Sequence, residues 1–386
     1  MIIGKPTEKI VDRKDEVERI VNSTLNPKAN VNYALLGHRR IGKSTIILEA
    51  KRKLEKHKII VGYIDLGEYR YSPVDFAEAL TERLTDAYAK TLPKSSKILS
   101  KISSSLAQLK EIKRLRARFI TSIDEDGRPV IEIDPYIKDR NENYLKALTN
   151  VFDYANKLSK ASKKRIVIMI DEFQHVVGYK RFNELQKILD IFKTILERRT
   201  NVSFVVSGSK IHYMQNILGE GESPLFGHFV IIDIKPLEKK YATELFENSD
   251  PKATTADANQ AYDLVGGHPY YLTMLAEARK NKEAIKDVYM RLLTSPTGGL
   301  YLYVNYILTE DLGSNYKDTN YPKILLALAT GEKTISQISK ETSIRITDLP
   351  KLMTTLIEYD IVSKIEGKYS ITDKIVRDFF YYNFLK

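Results

Sequence analysis

Eight consecutive residues constrain the fold of this chain more than any other segment. Residues 37–44 read Gly-His-Arg-Arg-Ile-Gly-Lys-Ser and match the pattern G-x-x-x-x-G-K-[ST] at every fixed position. An apolar run over residues 31–37 precedes the motif, and a segment with helical spacing over residues 43–56 follows it. A strand, a glycine-containing loop and a helix in this order are typical of a phosphate cradle, because the glycines let backbone N–H groups point inward.

The side chains of this loop indicate how a nucleoside triphosphate would be held. Lys43 can reach the β- and γ-phosphates, which also makes it a catalytic candidate, and Ser44 can ligate Mg²⁺. The N-terminus of the following helix adds a positive partial charge. We therefore expect ATP or ADP with Mg²⁺ as the ligand. The predicted phosphate-binding residues are Gly37, His38, Arg39, Arg40, Ile41, Gly42, Lys43, Ser44 and Thr45.

Two carboxylates follow another apolar run. Residues 165–170 read as a buried strand, and Asp171 and Glu172 come directly after it. The carboxyl ends of strands in an open α/β sheet face the ligand crevice, so we expect Asp171 to hold Mg²⁺ through water and Glu172 to activate the attacking water. The alternative is that these carboxylates cap the next helix. A water-activating glutamate favours hydrolysis over phosphoryl transfer to a small molecule.

A further apolar run, residues 202–207, also ends in polar side chains. If its strand lies between the first and third strands of the sheet, Ser207 or Ser209 could touch the γ-phosphate or the water. The alternative is that they cap the helix after Lys210. Arg199 precedes this strand at the opposite sheet edge, where it either reaches a neighbouring subunit's nucleotide or stabilises the end of the preceding helix.

The order of the apolar runs predicts the fold class. They lie at residues 31–37, 59–65, 165–170, 202–207 and 229–234, and helical patterns separate them. Strands that alternate with helices form a parallel sheet covered by helices on both faces. We therefore predict an α/β fold with three layers, in the order α/β/α.

Together these features resemble the AAA+ and STAND division of P-loop NTPases, and within it the archaeal ATPase family. Residues 10–16 are similar to the family's hydrophobic-Gly-Arg-Glu box, which implies that Arg13 lies near the adenine. Residues 266–272 are similar to the Gly-x-Pro motif of its helical lid, which implies that His268 and Pro269 approach the nucleotide. The resemblance covers residues 8–385 except for residues 90–145, and it implies a C-terminal winged helix.

Three domains are predicted on this basis. Residues 1–236 form the P-loop ATPase core, with an insertion over residues 90–145 that contains a hairpin around Asp126-Gly127. Residues 237–315 form the helical lid, and residues 316–386 form a winged helix-turn-helix. The patterns within this last domain predict helices at residues 322–328, 334–342 and 347–359, with Thr347 as cap, and then a hairpin around Glu366-Gly367.

The net charge of +11 is spread unevenly along the chain. Residues 90–118 hold nine lysines and arginines against one glutamate. This run is either a solvated helix face or a surface that binds DNA or an acidic protein partner. Residues 321–386 hold ten basic residues against eight acidic ones, which is a weak footprint for duplex DNA.

The composition excludes several other classes. The chain has no cysteine, so disulfides and cysteine metal sites are excluded. It also lacks a run of eighteen apolar residues and an apolar signal core at its start. We therefore expect a cytoplasmic protein without membrane contact. The absence of cysteine and tryptophan, the many lysines and isoleucines and the 24 tyrosines favour a thermophile as its source.

The expected function is a Mg²⁺-dependent ATPase that couples its nucleotide state to the positions of the lid and the winged helix. Two alternatives remain open. One is a DNA-binding ATPase similar to origin-recognition proteins, and the other is a nucleotide-locked switch for protein interactions with negligible turnover. Each of these functions is compatible with an oligomer in which Arg199 reaches the nucleotide of a neighbouring subunit.

Overall fold

The computed structural model describes residues 11–92, 118–123, 129–134, 144–198, 201–219 and 221–386. The N-terminal half contains the strands β1 Tyr33–Leu36, β2 Ile60–Asp65, β3 Arg118–Ile123, β4 Pro129–Asp134, β5 Ile166–Asp171, β6 Val202–Gly208 and β7 Val230–Asp233. Its helices are α1 Lys14–Leu25, α2 Lys43–Lys56, α3 Pro73–Lys90, α4 Tyr144–Ser162, α5 Ile188–Arg198 and α6 Ile211–Leu218, with 3₁₀ turns at Phe173–Arg181 and Asn183–Leu185.

The main sheet has five parallel strands in the order β2-β5-β6-β1-β7. The five strands are those predicted from the apolar runs, and the predicted fold class is confirmed. The sheet order places β6 between β1 and β5, which is the condition under which Ser207 and Ser209 reach the site. In addition, Asp65 is the last residue of β2 and Asp171 is the last residue of the neighbouring strand β5, and the two aspartates lie opposite each other in the sheet.

Helices cover both faces of the sheet, so alternate side chains of its strands enter two separate cores. Ile168 and Ile170 of β5 belong to the core that includes α3, α4 and α5. Val167 and Met169 belong to the core on the opposite face, with α1 and α2. Every residue of β1, β5 and β6 is buried, as expected for central parallel strands.

The insertion contains the predicted hairpin. β3 and β4 pair antiparallel, with Arg118 opposite Asp134 at one end and Ile123 opposite Pro129 at the other. They form a two-stranded sheet that is separate from the five-stranded one. Residues 93–117, which hold most of the basic run, and Arg199 lie outside the described residues.

The C-terminal half is mostly helical. Its elements are α7 Lys239–Ser249, α8 Thr255–Val265, α9 Pro269–Ala278, α10 Ile285–Thr294, α11 Gly299–Leu312, the 3₁₀ turn Tyr316–Asp318, α12 Tyr321–Ala329, β8 Lys333–Thr334, α13 Ile335–Thr342, α14 Leu349–Glu358, β9 Val362–Ile365, β10 Lys368–Ile371 and α15 Lys374–Phe384. One hydrophobic core contains residues from Leu237 to Phe380, so the helices up to α11 and the C-terminal elements pack as one body.

The last seventy residues contain the three helices and the hairpin that the sequence predicts, and in addition the short strand β8 and the helix α15, which it did not predict. β8, β10 and β9 form a small antiparallel sheet, and Glu366 and Gly367 make its turn with φ of 49° and 79°. Both positive φ values suit a two-residue hairpin turn. The predicted cap at Thr347 is wrong, because α14 begins at Leu349 with Pro350 in its first turn. Over the described residues, no helix combines the length and apolar character needed to cross a membrane.

Candidate nucleotide-binding site

The phosphate loop lies between β1 and α2, at the carboxyl edge of the sheet. Gly42 precedes α2 with φ of 108°, a conformation that favours glycine. A Cβ on Gly37 would lie 2.6 Å from the carbonyl oxygen of Ile234, so this position also requires glycine. Within the described chain no side chain caps the start of α2, whose first N–H groups are therefore available to an anion.

Lys43 points back into the loop. Its Nζ donates hydrogen bonds to the carbonyl oxygens of Gly37 at 2.7 Å and His38 at 2.9 Å. The side chain is buried, and this burial lowers the pKa of Lys43, while Glu172 and Asp171 counteract the effect. The ammonium group is thus held inside the loop, where the phosphates of a nucleotide would lie.

Asp171 is the centre of a polar cluster beneath the loop. Ser44 Oγ donates to Asp171 Oδ2 at 2.5 Å, and Ser207 Oγ donates to Asp171 Oδ1. The hydroxyl of Tyr63 lies 3.4 Å from Oδ2. The sheet thus brings two predicted metal ligands, Ser44 and Asp171, into direct contact with Ser207.

This cluster fits Mg²⁺ as P-loop proteins hold it. The described residues contain no group of three or more histidine, aspartate or glutamate side chains that could hold a metal by themselves. Mg²⁺ commonly takes one or two protein ligands and fills its other positions with phosphate oxygens and water. Ser44 and Asp171 supply such a pair at the edge of the phosphate loop.

Glu172 stands in a left-handed conformation, with φ of 52°, directly after β5. Its carboxylate accepts hydrogen bonds from Ser209 Oγ at 2.8 Å and from Gln174 Nε2, instead of capping the 3₁₀ turn that follows. Burial by itself would raise the pKa of Glu172, but Lys43 and the two donors outweigh it, so the pKa lies below its ordinary value. Glu172 is therefore charged at neutral pH.

The start of α6 does not use Ser207 or Ser209 as a cap. Instead Asp360, from the far end of the chain, accepts hydrogen bonds from the backbone N–H groups of Ile211 at 2.6 Å and His212 at 3.4 Å. Both serines are therefore free to contact the acidic pair, and the capping alternative for them is wrong.

Two arginines of the loop point toward the helices of the C-terminal half rather than into the loop. Arg39 Nη2 donates to Asp311 Oδ1 at 3.2 Å, and its Nη1 is buried without a partner in the described structure. Arg40 lies over the rings of Tyr270 and Tyr303, 4.1 and 4.8 Å from their centroids. The orphaned Arg39 nitrogen is a donor that a nucleotide phosphate could satisfy.

The predicted lid motif contacts the loop through its histidine. His268 Nε2 donates to the carbonyl oxygen of Arg39 at 3.1 Å, and Pro269 occupies the first turn of α9. Burial lowers the pKa of His268 to about 3, so the ring is neutral. Gly267 passes so close to the Leu237 carbonyl that a Cβ would lie 1.8 Å from it.

The remaining predicted residues in the described structure are Arg13, Ile41 and Thr45. Arg13 is buried, donates to the carbonyl oxygen of Lys235 and lies 3.5 Å from Glu16, so it ties the start of α1 to the segment after β7. Ile41 is fully buried in the core beneath the loop. Thr45 lies in the first turn of α2 and is partly exposed.

Sequence reasoning missed three residues of this site, Asp65, Gln174 and Asp311. Burial, together with repulsion from Asp171 and Glu172, raises the pKa of Asp65 to about 6 despite a 2.8 Å hydrogen bond from the Gly67 N–H. Its signal was present, since the run at residues 59–65 ends in aspartate as β5 does. Gln174 and Asp311 had no such signal.

A parallel sheet with a phosphate loop, a buried lysine and a serine–aspartate pair defines a P-loop nucleotide-binding protein. The chain belongs to the family of ATPase domains found predominantly in Archaea, whose family model matches residues 10–275.

Relatives in Methanocaldococcus jannaschii agree with this assignment. An uncharacterized ATP-binding protein is 22% identical over 311 residues, covering 78% of this chain and 82% of its own length. A second is 26% identical over 296 residues, covering 74% and 75%. An uncharacterized protein is 26% identical over 232 residues, which are 56% of this chain and 49% of that relative, so the match spans about half of the relative's length.

Solved structures share the fold over nearly the whole chain. A Walker-type ATPase of Pyrococcus abyssi superposes with a TM-score of 0.64 at 18% identity, covering 98% of this chain and 99% of that one. The ORC2 protein of Aeropyrum pernix, in complexes with ADPNP and ADP, gives a TM-score of 0.54 at 10% identity, with coverage of 98% and 96%.

Proposed function

We propose that this protein binds ATP with Mg²⁺, hydrolyses it, and couples the nucleotide state to the helical C-terminal half. The observation that carries the proposal is Glu172, a charged carboxylate held beside Lys43 and Asp171 at the edge of the phosphate loop. A general base is useful here because hydrolysis of the bond between the β- and γ-phosphates, a phosphoanhydride, depends on a correctly placed water.

Each residue has one part in this reaction. The loop N–H groups and Lys43 bind the phosphates, and Ser44 and Asp171 hold Mg²⁺, which when bound supplies positive charge to the phosphate oxygens. Glu172 orients the water and takes its proton. Ser207 fixes Asp171, and Ser209 and Gln174 fix Glu172, through the hydrogen bonds described above.

Coupling to the lid is supported by the contacts of Asp311, at the end of α11. Its Oδ1 lies 3.2 Å from Arg39 Nη2 in the phosphate loop and 3.2 Å from Lys210 Nζ after β6. Arg39 is close enough to Lys43 and Glu172 to act on the pKa of each. A γ-phosphate would therefore compete with Asp311 for Arg39 and loosen the lid.

A second connection joins the core to the predicted winged helix, residues 316–386. Asp360 caps α6 directly behind Ser209, and Lys210 Nζ lies 4.1 Å from the centroid of the Tyr359 ring. Movement at the end of β6 would thus reach α14, whose C-terminal end packs against the core at this point.

Replacing Asp311 with asparagine should tighten ATP binding. The change removes the charge that competes with the γ-phosphate for Arg39, so we expect affinity to rise about fivefold or more, the usual scale of coupling between two sites. Calorimetric titration with a non-hydrolysable ATP analogue measures the effect.

Glu310→Gln is the matched control for this variant. Glu310 is the neighbouring carboxylate, but it is exposed and makes only a 4.0 Å contact with Arg70. The Glu310→Gln variant should bind the ATP analogue with the affinity of the parent protein. Unchanged or weaker binding by Asp311→Asn would contradict competition between Asp311 and the γ-phosphate.

The experiment that tests the proposed function is ATP turnover measured with and without Mg²⁺, and with and without duplex DNA. Turnover that requires Mg²⁺ supports hydrolysis at this site. Copurified ADP with negligible turnover under all conditions would instead favour the nucleotide-locked switch. Stimulation by DNA would favour the origin-recognition-like alternative.

The DNA-binding alternative is favoured by the basic run at residues 90–118. If this run binds DNA, changing Lys113, Arg114, Arg116 and Arg118 to serine should lower affinity and flatten the salt dependence, by about 0.9 slope unit for each phosphate that is no longer neutralised. ATP binding should persist. Titration of labelled duplex at several salt concentrations checks this, and a parent protein that binds no duplex at low salt rules this alternative out for the run.

A further inference from the structure

A cleft of about 280 Å³ opens between the core and the C-terminal half. From the core it is lined by Arg70 and Arg181, and by Gln174 and Lys210. Glu358 and Tyr359, at the end of α14, close its other side. None of its lining residues belongs to the phosphate loop, and the cleft shares one residue, Gln174, with the candidate nucleotide-binding site.

The lining of the cleft is rich in cations. Arg181 has no carboxylate partner within the described parts of the chain, and Arg70 has only the 4.0 Å contact with Glu310, between two exposed side chains. Lys210 shares Asp311 with Arg39. Exposed pairs of this kind contribute little, so the charge of Arg70 and Arg181 remains available to an anion.

The two guanidinium groups lie near the same aromatic ring. Arg70 and Arg181 lie 4.8 and 5.2 Å from the centroid of the same ring, that of Tyr71. Arg181 Nη2 also donates to the carbonyl oxygen of Arg70 at 3.3 Å. Two guanidinium groups that line one cleft suit the oxygens of a phosphate, to which arginine binds in a bidentate manner.

Gln174 adds a polar group that lacks a partner. The residue is 4% exposed, and its Oε1 is buried with no hydrogen-bond donor in the described structure. A buried acceptor without a partner is costly, and a ligand hydroxyl would satisfy it. The Nε2 of the same amide donates to Glu172, so the cleft and the proposed base share one side chain.

We propose that this cleft binds a phosphate monoester that carries a hydroxylated group, such as a nucleoside monophosphate. Arg70 and Arg181 hold the phosphate, and the ligand's hydroxyl donates to Gln174 Oε1. The volume lies just below the range of pockets for small organic ligands, which suits one nucleotide and not a polymer threaded through the cleft. Occupancy acts on ATP turnover through Gln174 and Glu172, a consequence that rests on the proposed function.

The binding step is tested by calorimetry with the nucleotide site already filled. Protein saturated with Mg²⁺ and a non-hydrolysable ATP analogue is titrated with uridine 5′-monophosphate, inorganic phosphate and uridine. We expect the monophosphate to bind, phosphate to bind more weakly and uridine not to bind. Binding of phosphate as tightly as the monophosphate would show that the phosphate group alone is recognised, and would overturn the role given to Gln174 Oε1.

Arg181→Gln should weaken monophosphate binding at least tenfold, because it removes a charge-assisted fork. Arg52→Gln is the matched control, since Arg52 is exposed on α2 and pairs with Glu49 of the same helix. Equal binding by parent and Arg181→Gln, or no binding of the monophosphate by the parent, would overturn the proposal. These titrations need no turnover, so their outcome is separate from that of the hydrolysis proposal.

The coupling to turnover is measured next, at saturating ATP. The monophosphate should change the turnover of the parent protein and leave that of Arg181→Gln unchanged at the same concentration. Binding without any change in turnover would keep the site and overturn its connection to Glu172.

Discussion

Lys43→Ala should abolish ATP turnover and weaken ATP binding by about 10- to 100-fold. The ammonium group donates two hydrogen bonds within the phosphate loop, and in the complex it would donate them to phosphate oxygens. A charge-assisted hydrogen bond contributes about 1.5–3 kcal/mol, and each 1.4 kcal/mol corresponds to a factor of ten in affinity. Calorimetry with ATP and a steady-state phosphate-release assay measure both effects.

Lys51→Ala is the control for this experiment. Lys51 lies on the same helix, but it is partly exposed and pairs with Glu55 at 2.8 Å, four residues further on. The substitution should leave affinity and turnover at the values of the parent. Thermal unfolding of both variants shows whether Lys43→Ala still folds. A folded Lys43→Ala protein with normal binding and turnover would remove the nucleotide site from this loop.

Glu172→Gln should lower turnover by about two to four orders of magnitude and preserve ATP binding. Glutamine has the shape of glutamate and still accepts the hydrogen bond of Ser209, but it cannot take a proton from water. The loss matches the usual contribution of a general base. Affinity should stay equal or rise slightly, because a negative charge near the γ-phosphate is removed. Single-turnover hydrolysis and calorimetry separate the two steps.

The variant Glu55→Gln, on helix α2, serves as the charge control, since it makes the same chemical change away from the site. Ser209→Ala provides an intermediate case, because it removes one of the two donors to Glu172 and leaves the carboxylate in place. Turnover should fall less in Ser209→Ala than in Glu172→Gln. If Glu172→Gln hydrolyses ATP at the parental rate, another group activates the water.

Local sequence patterns determined the phosphate loop, the five sheet strands and the acidic pair. Each depends on residues close together in the chain, such as the glycines and lysine of residues 37–44 and the apolar run of residues 165–170. The turn at Glu366-Gly367 was predicted in the same way. Such features are readable because backbone conformation and strand burial follow from neighbouring residue types. The archaeal ATPase family assignment followed from the same motifs.

The neighbours of these residues were decided by tertiary structure alone. The sheet order set β6 beside β5, which selected contact with Asp171 over helix capping for Ser207, 36 residues away. It also paired Asp65 with Asp171, and the resulting burial and repulsion raise the pKa of Asp65 to about 6.

The most distant contacts had no signal in the sequence. Arg39 and Asp311 are separated by 272 residues, and Ile211 and Asp360 by 149 residues. An isolated aspartate in a helix or turn gives no indication of its partner, because a hydrogen bond depends on where the packed elements bring two side chains together. The sequence therefore determined the residue types of the phosphate loop and the acidic pair, and the packing of the C-terminal half onto the core decided which distant residues contact the core.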